Sequence, residues 1–219
     1  MSLSGVYKIG SYPVSTKAGD TKNTLKVQLK GARSQIRVIF NVTPDISESR
    51  TVEYKQLTPI HMPGSIQLYH GSSSRTFNLS AIKIMSRTSK EAGYNLELLN
   101  VLRAWGMPSF GKSPTNKSVP ERGFEPILGS PPEVLLLTAY SDANNKGNLF
   151  EIPVVLTSLT IPYPSDVDYI PAMRSDGKTL GPPMPTLMTI DMTLVETHSP
   201  SELSSFSLEH YRSGDLSNF

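Results

Sequence analysis

Residues 76–111 constrain the fold more than any other part of the chain, reading as one long strand, a sharp entry, one amphipathic helix and an abrupt stop. Thr88 is a helix N-cap and Glu91 stands three residues later, the spacing of a capping box that satisfies two orphan backbone donors. Tyr94, Leu98, Val101, Leu102 and Trp105 then recur at helical spacing and form one apolar stripe. Gly106 follows as a stop signal, and Pro108 forbids continuation. Gly93 is expected to weaken the first turn by up to about 1 kcal/mol relative to alanine. No other segment in the body of the chain reads as a convincing helix. A helix with a single apolar face must be covered, and its surroundings read as sheet. The fold class expected is therefore mainly β with one helix (α+β).

The strands follow in order. Residues 25–29 and 35–42 suggest a hairpin joined across Gly31 and Ala32. Lys22, Lys26, Lys30, Arg33 and Arg37 cluster on it. No aromatic residue interleaves to stack on bases, so the cluster reads as a solvated edge rather than a nucleic-acid stripe. Residues 43–50 are polar and contain Pro44. Residues 51–56, 65–69 and 75–86 read as further strands. Residues 107–132 form a long Pro/Gly/Ser/Lys-rich loop, and a loop of that length is expected to be functional or to order on a partner. Residues 133–140 suggest a strand covered on both faces, and 141–148 its turn. Residues 149–163 suggest a long strand in which Pro153 demands an edge, a bulge or a bend. Residues 162–185 read as a second irregular loop. Residues 186–197 alternate cleanly: Met188, Ile190, Met192 and Leu194 face the core, and Thr189, Asp191 and Thr193 face water, a lumen or a polar interface. A short helix is expected from Ser199, with Pro200 at its first position and Glu202 two residues on. The division is an arm over 1–24, a domain over 25–198 and a tail over 199–219.

A formal charge of +2 argues for neither nucleic acid nor an anionic membrane as partner. There is no cysteine, hence no disulfide framework and no thiolate chemistry. The first ten residues lack the pattern of a signal peptide, and no window approaches the ~20 apolar residues of a membrane span. Glycosylation-like triplets at Asn41, Asn78 and Asn116 are read as chance in that setting.

Few motifs carry chemistry. Residues 106–113, GMPSFGKS, match the phosphate-loop pattern letter for letter. Phosphate binding needs a strand before the glycines and a helix after Lys112, whereas a helix precedes them and Pro114 follows. Residues 142–147, DANNKG, open like a calcium loop, but Pro153 stands where a bidentate carboxylate is required, so they read as a turn. His61, His70, His198 and His210 are scattered and read as surface or capping residues. Asp166 with Asp168, or Glu151 with Asp191, would pair only if the fold brought them together. No catalytic, metal or cofactor site is expected, and Trp105 reads as core.

Three segments together resemble a known family. They are residues 86–111, with NLELLNVLRAW and MPSFG; residues 131–171, with PPEVLLLTAY and SLTIPYPSDVDYIP; and residues 184–216, with MPTLMTIDMTLVETHSPSE and YRSG. They resemble the tail-tube-like initiator proteins in the baseplates of contractile-tailed phages. The resemblance implies an antiparallel β-sandwich or partial barrel with a flanking helix. It implies a ring, hexameric in that family, that caps the central hub and templates the tail tube. Partners would be further copies of the chain, hub proteins, the tube protein, and sheath or wedge proteins. DNA would meet it only by passing through the lumen, whose candidate lining is Thr189, Asp191 and Thr193. Its place would be the virion baseplate, assembled in the host cytoplasm. A major tail-tube or secretion-system tube subunit is the alternative within that class, and a phosphate-loop enzyme the alternative outside it.

Overall fold

The structure is a computed structural model that describes residues 6–9 (backbone), 27–40, 42–61, 63–108, 130–141, 147–174 and 177–213. Lys22, Lys26, Lys112, Ser113, Pro114, Asn41, Asn116, most of the N-terminal arm, residues 109–129 of the expected long loop and residues 142–146 of the turn expected at 141–148 lie outside the described residues. Among the described residues there are twelve strands and three helices. The strands are β1 (Val6–Ile9), β2 (Gln28–Gly31), β3 (Arg37–Phe40), β4 (Asp45–Ser49), β5 (Val52–Leu57), β6 (Ile66–Ser72), β7 (Thr76–Met85), β8 (Leu135–Ser141), β9 (Gly147–Thr160), β10 (Tyr169–Met173), β11 (Leu180–Pro185) and β12 (Leu187–Glu196). Helix α1 is Ser89–Trp105, α2 Pro200–Ser204 and α3 Leu208–Ser213.

Eight strands form one sheet in the order β1-β3-β2-β8-β9-β12-β7-β4, and the hairpins β5–β6 and β10–β11 form two small sheets. Apart from the parallel β1–β3 pair, the pairings are antiparallel. The protein is thus a mainly β, α+β fold.

Helix α1 touches β1, β9 and β7, which stand first, fifth and seventh in that order. Across a flat sheet the first and seventh strands would be about 29 Å apart, at ~4.8 Å per spacing. A helix is only about 10 Å wide. The sheet therefore curls around α1 as an open barrel wall. Its inner side and the helix share one apolar cluster, which includes Phe40, Phe77, Leu98, Leu102, Leu137 and Ile190. Burying each such side chain is worth about 1.5–3 kcal/mol. The alternation of β12 is visible directly: Met188, Ile190, Met192 and Leu194 are buried, and the residues between them are half-buried or exposed. This strand lies between β9 and β7.

Several expectations are corrected. The polar stretch 43–50 holds β4, an edge strand whose Ile46 alone is drawn inward. It forms because β7 offers a backbone ladder, not because of its own apolar pattern. The supposed irregular loop at 162–185 holds the β10–β11 hairpin, rich in proline because its outer edges need no ladder donors. The β2–β3 turn spans Ala32–Gln35, with Gln35 rather than a glycine at positive φ. Pro153 belongs to an interior strand, where the β12 ladder runs out: its carbonyl accepts from Thr197 N and its missing donor falls past the last pair. Two residues before it, Glu151 at φ 47° marks the β8–β9 bulge. α2 starts at the expected cap, where Ser199 and Glu202 exchange capping-box bonds. α3 is additional to the one-helix reading. No helix among the described residues is long and apolar enough to cross a membrane.

Gly93 has a role that helix propensity alone does not suggest. It faces β10 so closely that an added Cβ would overlap the carbonyl oxygen of Met173. Gly93→Ala is therefore expected to destabilise the protein by about 2 kcal/mol, because backbone overlap outweighs the ~1 kcal/mol propensity gain. Thermal melting should show a drop of about 4–8 °C. An unchanged or raised midpoint would mean that α1 does not rest on β10.

Candidate functional site

Two surfaces of the described residues stand out chemically. The first is the outer face of β12 and its neighbours. Residues directly opposite in a ladder share a face. Register places Ser47, Asn78, Thr193 and Ser158 side by side across β4, β7, β12 and β9. Asp191 stands beside Thr160, and Thr189 beside Lys83. The result is a wall of small polar side chains with few charges. Two of the three candidate lumen residues also brace the sheet. Asp191 Oδ1 accepts from Ala81 N at 3.0 Å, where β7 bulges and Ala81 takes φ 57°. Thr193 Oγ1 donates to Asn78 Oδ1 at 3.0 Å. Asp191 is exposed; Thr189 and Thr193 are half-buried.

The second surface is the β5–β6 hairpin. Every residue of β5, and all of β6 except the half-buried Gly71, is exposed. Tyr54 and Tyr69 pair on one face, their ring centroids 5.9 Å apart. Leu57, Ile66 and Leu68 occupy the other. Val52, Tyr54, Leu57, Ile66, Leu68 and Tyr69 are 42–63% exposed, and Ile60 near the tip is 85% exposed. Among the described residues the two strands pack chiefly on each other. An isolated two-stranded hairpin is marginal in water, and this one exposes apolar side chains on both faces.

A charged cluster sits where the arm meets the body. The Glu196 side chain, 2% exposed, closes β12. Arg75, just before β7, gives it Nη2 at 2.6 Å, Nε at 3.1 Å and its backbone N at 3.2 Å. Arg50, between β4 and β5, reaches the same carboxylate at 3.3 Å. His198 Nε2 lies 2.9 Å from it, so the side chain of this histidine, expected to be a surface or capping residue, is instead a buried partner of the carboxylate. Arg75 also meets Glu48 at 3.3 Å and stacks over Phe77. Burial pushes the Glu196 carboxyl up, but bonds from Arg75 and His198 and the charge of Arg75 outweigh it and hold the group at about 2. Burial likewise disfavours the Arg75 cation, yet Glu196 and Glu48 leave its pKa raised.

Folding thus lowers the proton affinity of Glu196. Its stabilisation is complete above pH 4.5 and is lost as pH falls toward 2. The contribution is on the order of 2–3 kcal/mol. The stability difference between the wild type and Glu196→Gln should accordingly shrink between pH 5 and pH 2 in parallel denaturation series. A difference that stays constant over that range would contradict the assignment.

Of the helix stripe, Leu98, Val101, Leu102 and Trp105 are buried, and Tyr94 is half-buried against the same cluster. Ala92, Asn95 and Leu99 are buried with them, so the covered face is wider than the stripe. Asn95 earns its place by donating to the Met85 carbonyl and to Ser86 Oγ. A cleft of about 540 Å³ opens beside the last turn, between Arg33, Ile36, Val101, Trp105 and Pro108. Glu151 and Asp191 are not brought together: Asp191 faces Thr160, nine residues along β9 from Glu151, or about 30 Å. Asp166 lies on the exposed segment before β10, as does Asp168, whose carbonyl accepts from Thr186 N. His61 and His70 are exposed on the arm, and His210 lies on α3. No group of His, Asp or Glu among the described residues has the makings of a metal site. Helix α1 runs up to Gly106, so the residues before the phosphate-loop pattern are helical, not strand.

Sequence reasoning placed strands at 51–56 and 65–69 but missed that the β5–β6 hairpin projects as an arm, and missed its root. β5 reads VEYKQL and β6 IQLYHGS, which mix apolar and polar residues on both faces and give no sign of projection. Arg75 and Glu196 are 121 residues apart, and only the β7–β12 ladder joins them. Neither a family model nor a curated protein matches the chain.

Proposed function

We propose that the protein is a structural part of a contractile phage tail: a baseplate ring that joins the central hub to the tail tube and templates tube growth. The observation that carries this reading is the exposed apolar arm. Burying its seven exposed large apolar residues in a neighbour is worth on the order of 1 kcal/mol each, since most are about half-exposed already. One arm is then too weak to hold a dimer at micromolar concentration, which requires about 8 kcal/mol net of association costs. Arms that engage together around a closed ring overcome that limit, because closure makes each later contact intramolecular. The polar wall of β4, β7, β12 and β9 supports the same reading. Small polar side chains with few charges suit a water-filled passage, with Thr189, Asp191 and Thr193 among its lining. In this reading hub proteins lie below, the tube protein above and sheath or wedge proteins outside, and the chain has no catalytic or cofactor-dependent step.

The test is sedimentation of the purified chain over a concentration series, with and without ATP or GTP. A discrete multiple of the monomer mass, indifferent to nucleotide and to Lys112→Ala, is expected. A monomer at every concentration that binds nucleotide through Lys112 would favour the enzyme instead.

A further inference from the structure

Both strands of the arm enter and leave the body within a few residues of one buried carboxylate. Arg50 lies two residues before β5, and Arg75 three residues after β6. Both donate to Glu196, at 3.3 Å and at 2.6–3.2 Å. A second set of bonds closes the gap between the legs: Ser73 N donates to the Thr51 carbonyl at 2.9 Å, and Thr51 N to Ser73 Oγ at 3.0 Å. Glu196 is itself tied into the body, since its N–H donates to the Arg75 carbonyl and its strand is flanked on both sides. Beyond this root, β5 and β6 pack chiefly on each other among the described residues. No other described element packs on them as extensively, so the root is what sets the angle at which an arm of about 20 Å leaves the barrel wall.

We propose that Glu196 is the positioning residue of the docking arm: through Arg50 and Arg75 it clamps both legs to the end of β12 and holds the arm in a single direction. The proposal rests on the arm being the docking element. A two-legged ionic root can do this where a single linker cannot, because fixing both legs removes rotation about either one. Arg50 is the leg that most directly reports the clamp. Its side chain is 39% exposed and bonds Glu196 from the rim, so losing it leaves the buried Arg75–Glu196 pair intact. Arg75 and Glu196 together hold the fold and the direction; Arg50 chiefly holds the direction.

The chain contains no cysteine, so paired labels can be placed without background. Spin labels on Gln56→Cys in the arm and Lys83→Cys in β7, both exposed positions, report arm direction as a distance distribution. The labelled parent should give a single narrow distribution. Adding Arg50→Gln should at least double its width while the melting midpoint stays within a few degrees. Arg50→Lys should restore most of the narrow distribution. Adding Glu196→Gln should broaden it further in protein that remains folded at neutral pH. A distribution as narrow in Arg50→Gln and Glu196→Gln as in the parent would overturn the clamp. If the distribution broadens and assembly is unaffected, the clamp stands and the arm is not the docking element.

Discussion

Replacing residues 52–72 with a short Gly/Ser turn is expected to abolish self-assembly and leave the body folded. The root survives this change: Arg50 and Arg75 keep their bonds to Glu196, and Thr51 and Ser73 already lie within hydrogen-bonding distance of each other. The apolar side chains removed are exposed, so they contribute little to the core. Surface changes of this kind usually stay within about 0.5 kcal/mol, or one to two degrees of melting midpoint for a chain of this size. Assembly, in contrast, should fall below detection at concentrations where the parent associates. Point variants grade the effect: Leu57→Ser with Leu68→Ser strips the aliphatic face, and Tyr54→Ser with Tyr69→Ser the aromatic one. Whichever pair weakens association more identifies the buried face. If the shortened chain associates as the parent does, the arm is not the contact.

Trp105→Ala should cost about 3–5 kcal/mol, the largest effect expected of any single substitution in α1. The indole is 3% exposed at the end of the helix and lies in the same apolar cluster as Leu98, Leu102 and the inner face of the sheet. Trp105→Phe separates volume from polarity. Among the described residues the buried indole Nε1 has no hydrogen-bond partner, so losing that donor removes no bond to them. The phenylalanine variant should therefore lose roughly 1–2 kcal/mol, for volume alone. Chemical denaturation measures both. Equal losses for the two substitutions, or a loss near zero for alanine, would mean that the ring does not fill the space under the sheet.

How legible each part was depended on where its determinants lie along the chain. The capping box, apolar spacing and glycine stop of α1 sit within twenty residues, and the helix is found where they place it. β12 was equally readable, because one face is buried without interruption. Local signals failed where the partner decides the structure. β4 is a strand because β7 offers it a ladder, and β10–β11 is a hairpin despite Pro171, Pro182, Pro183 and Pro185 because its outer edges are left unpaired. The close approach of Gly93 to Met173 joins segments eighty residues apart, and no pattern within α1 announces it. The same holds for the candidate site. The polar face of β12 was visible as alternating threonines and aspartate, but its extension through Asn78, Ser158 and Ser47 needed the register. The Glu196 root needed the whole sheet.

Imaging of the purified full chain by negative stain at rising concentration addresses the central claim most directly. Closed rings with a central hole are predicted, and they should vanish when residues 52–72 are replaced. Tubes growing without limit would point to a tube subunit instead of an initiator. Single particles of monomer size at every concentration would contradict the assembly reading altogether.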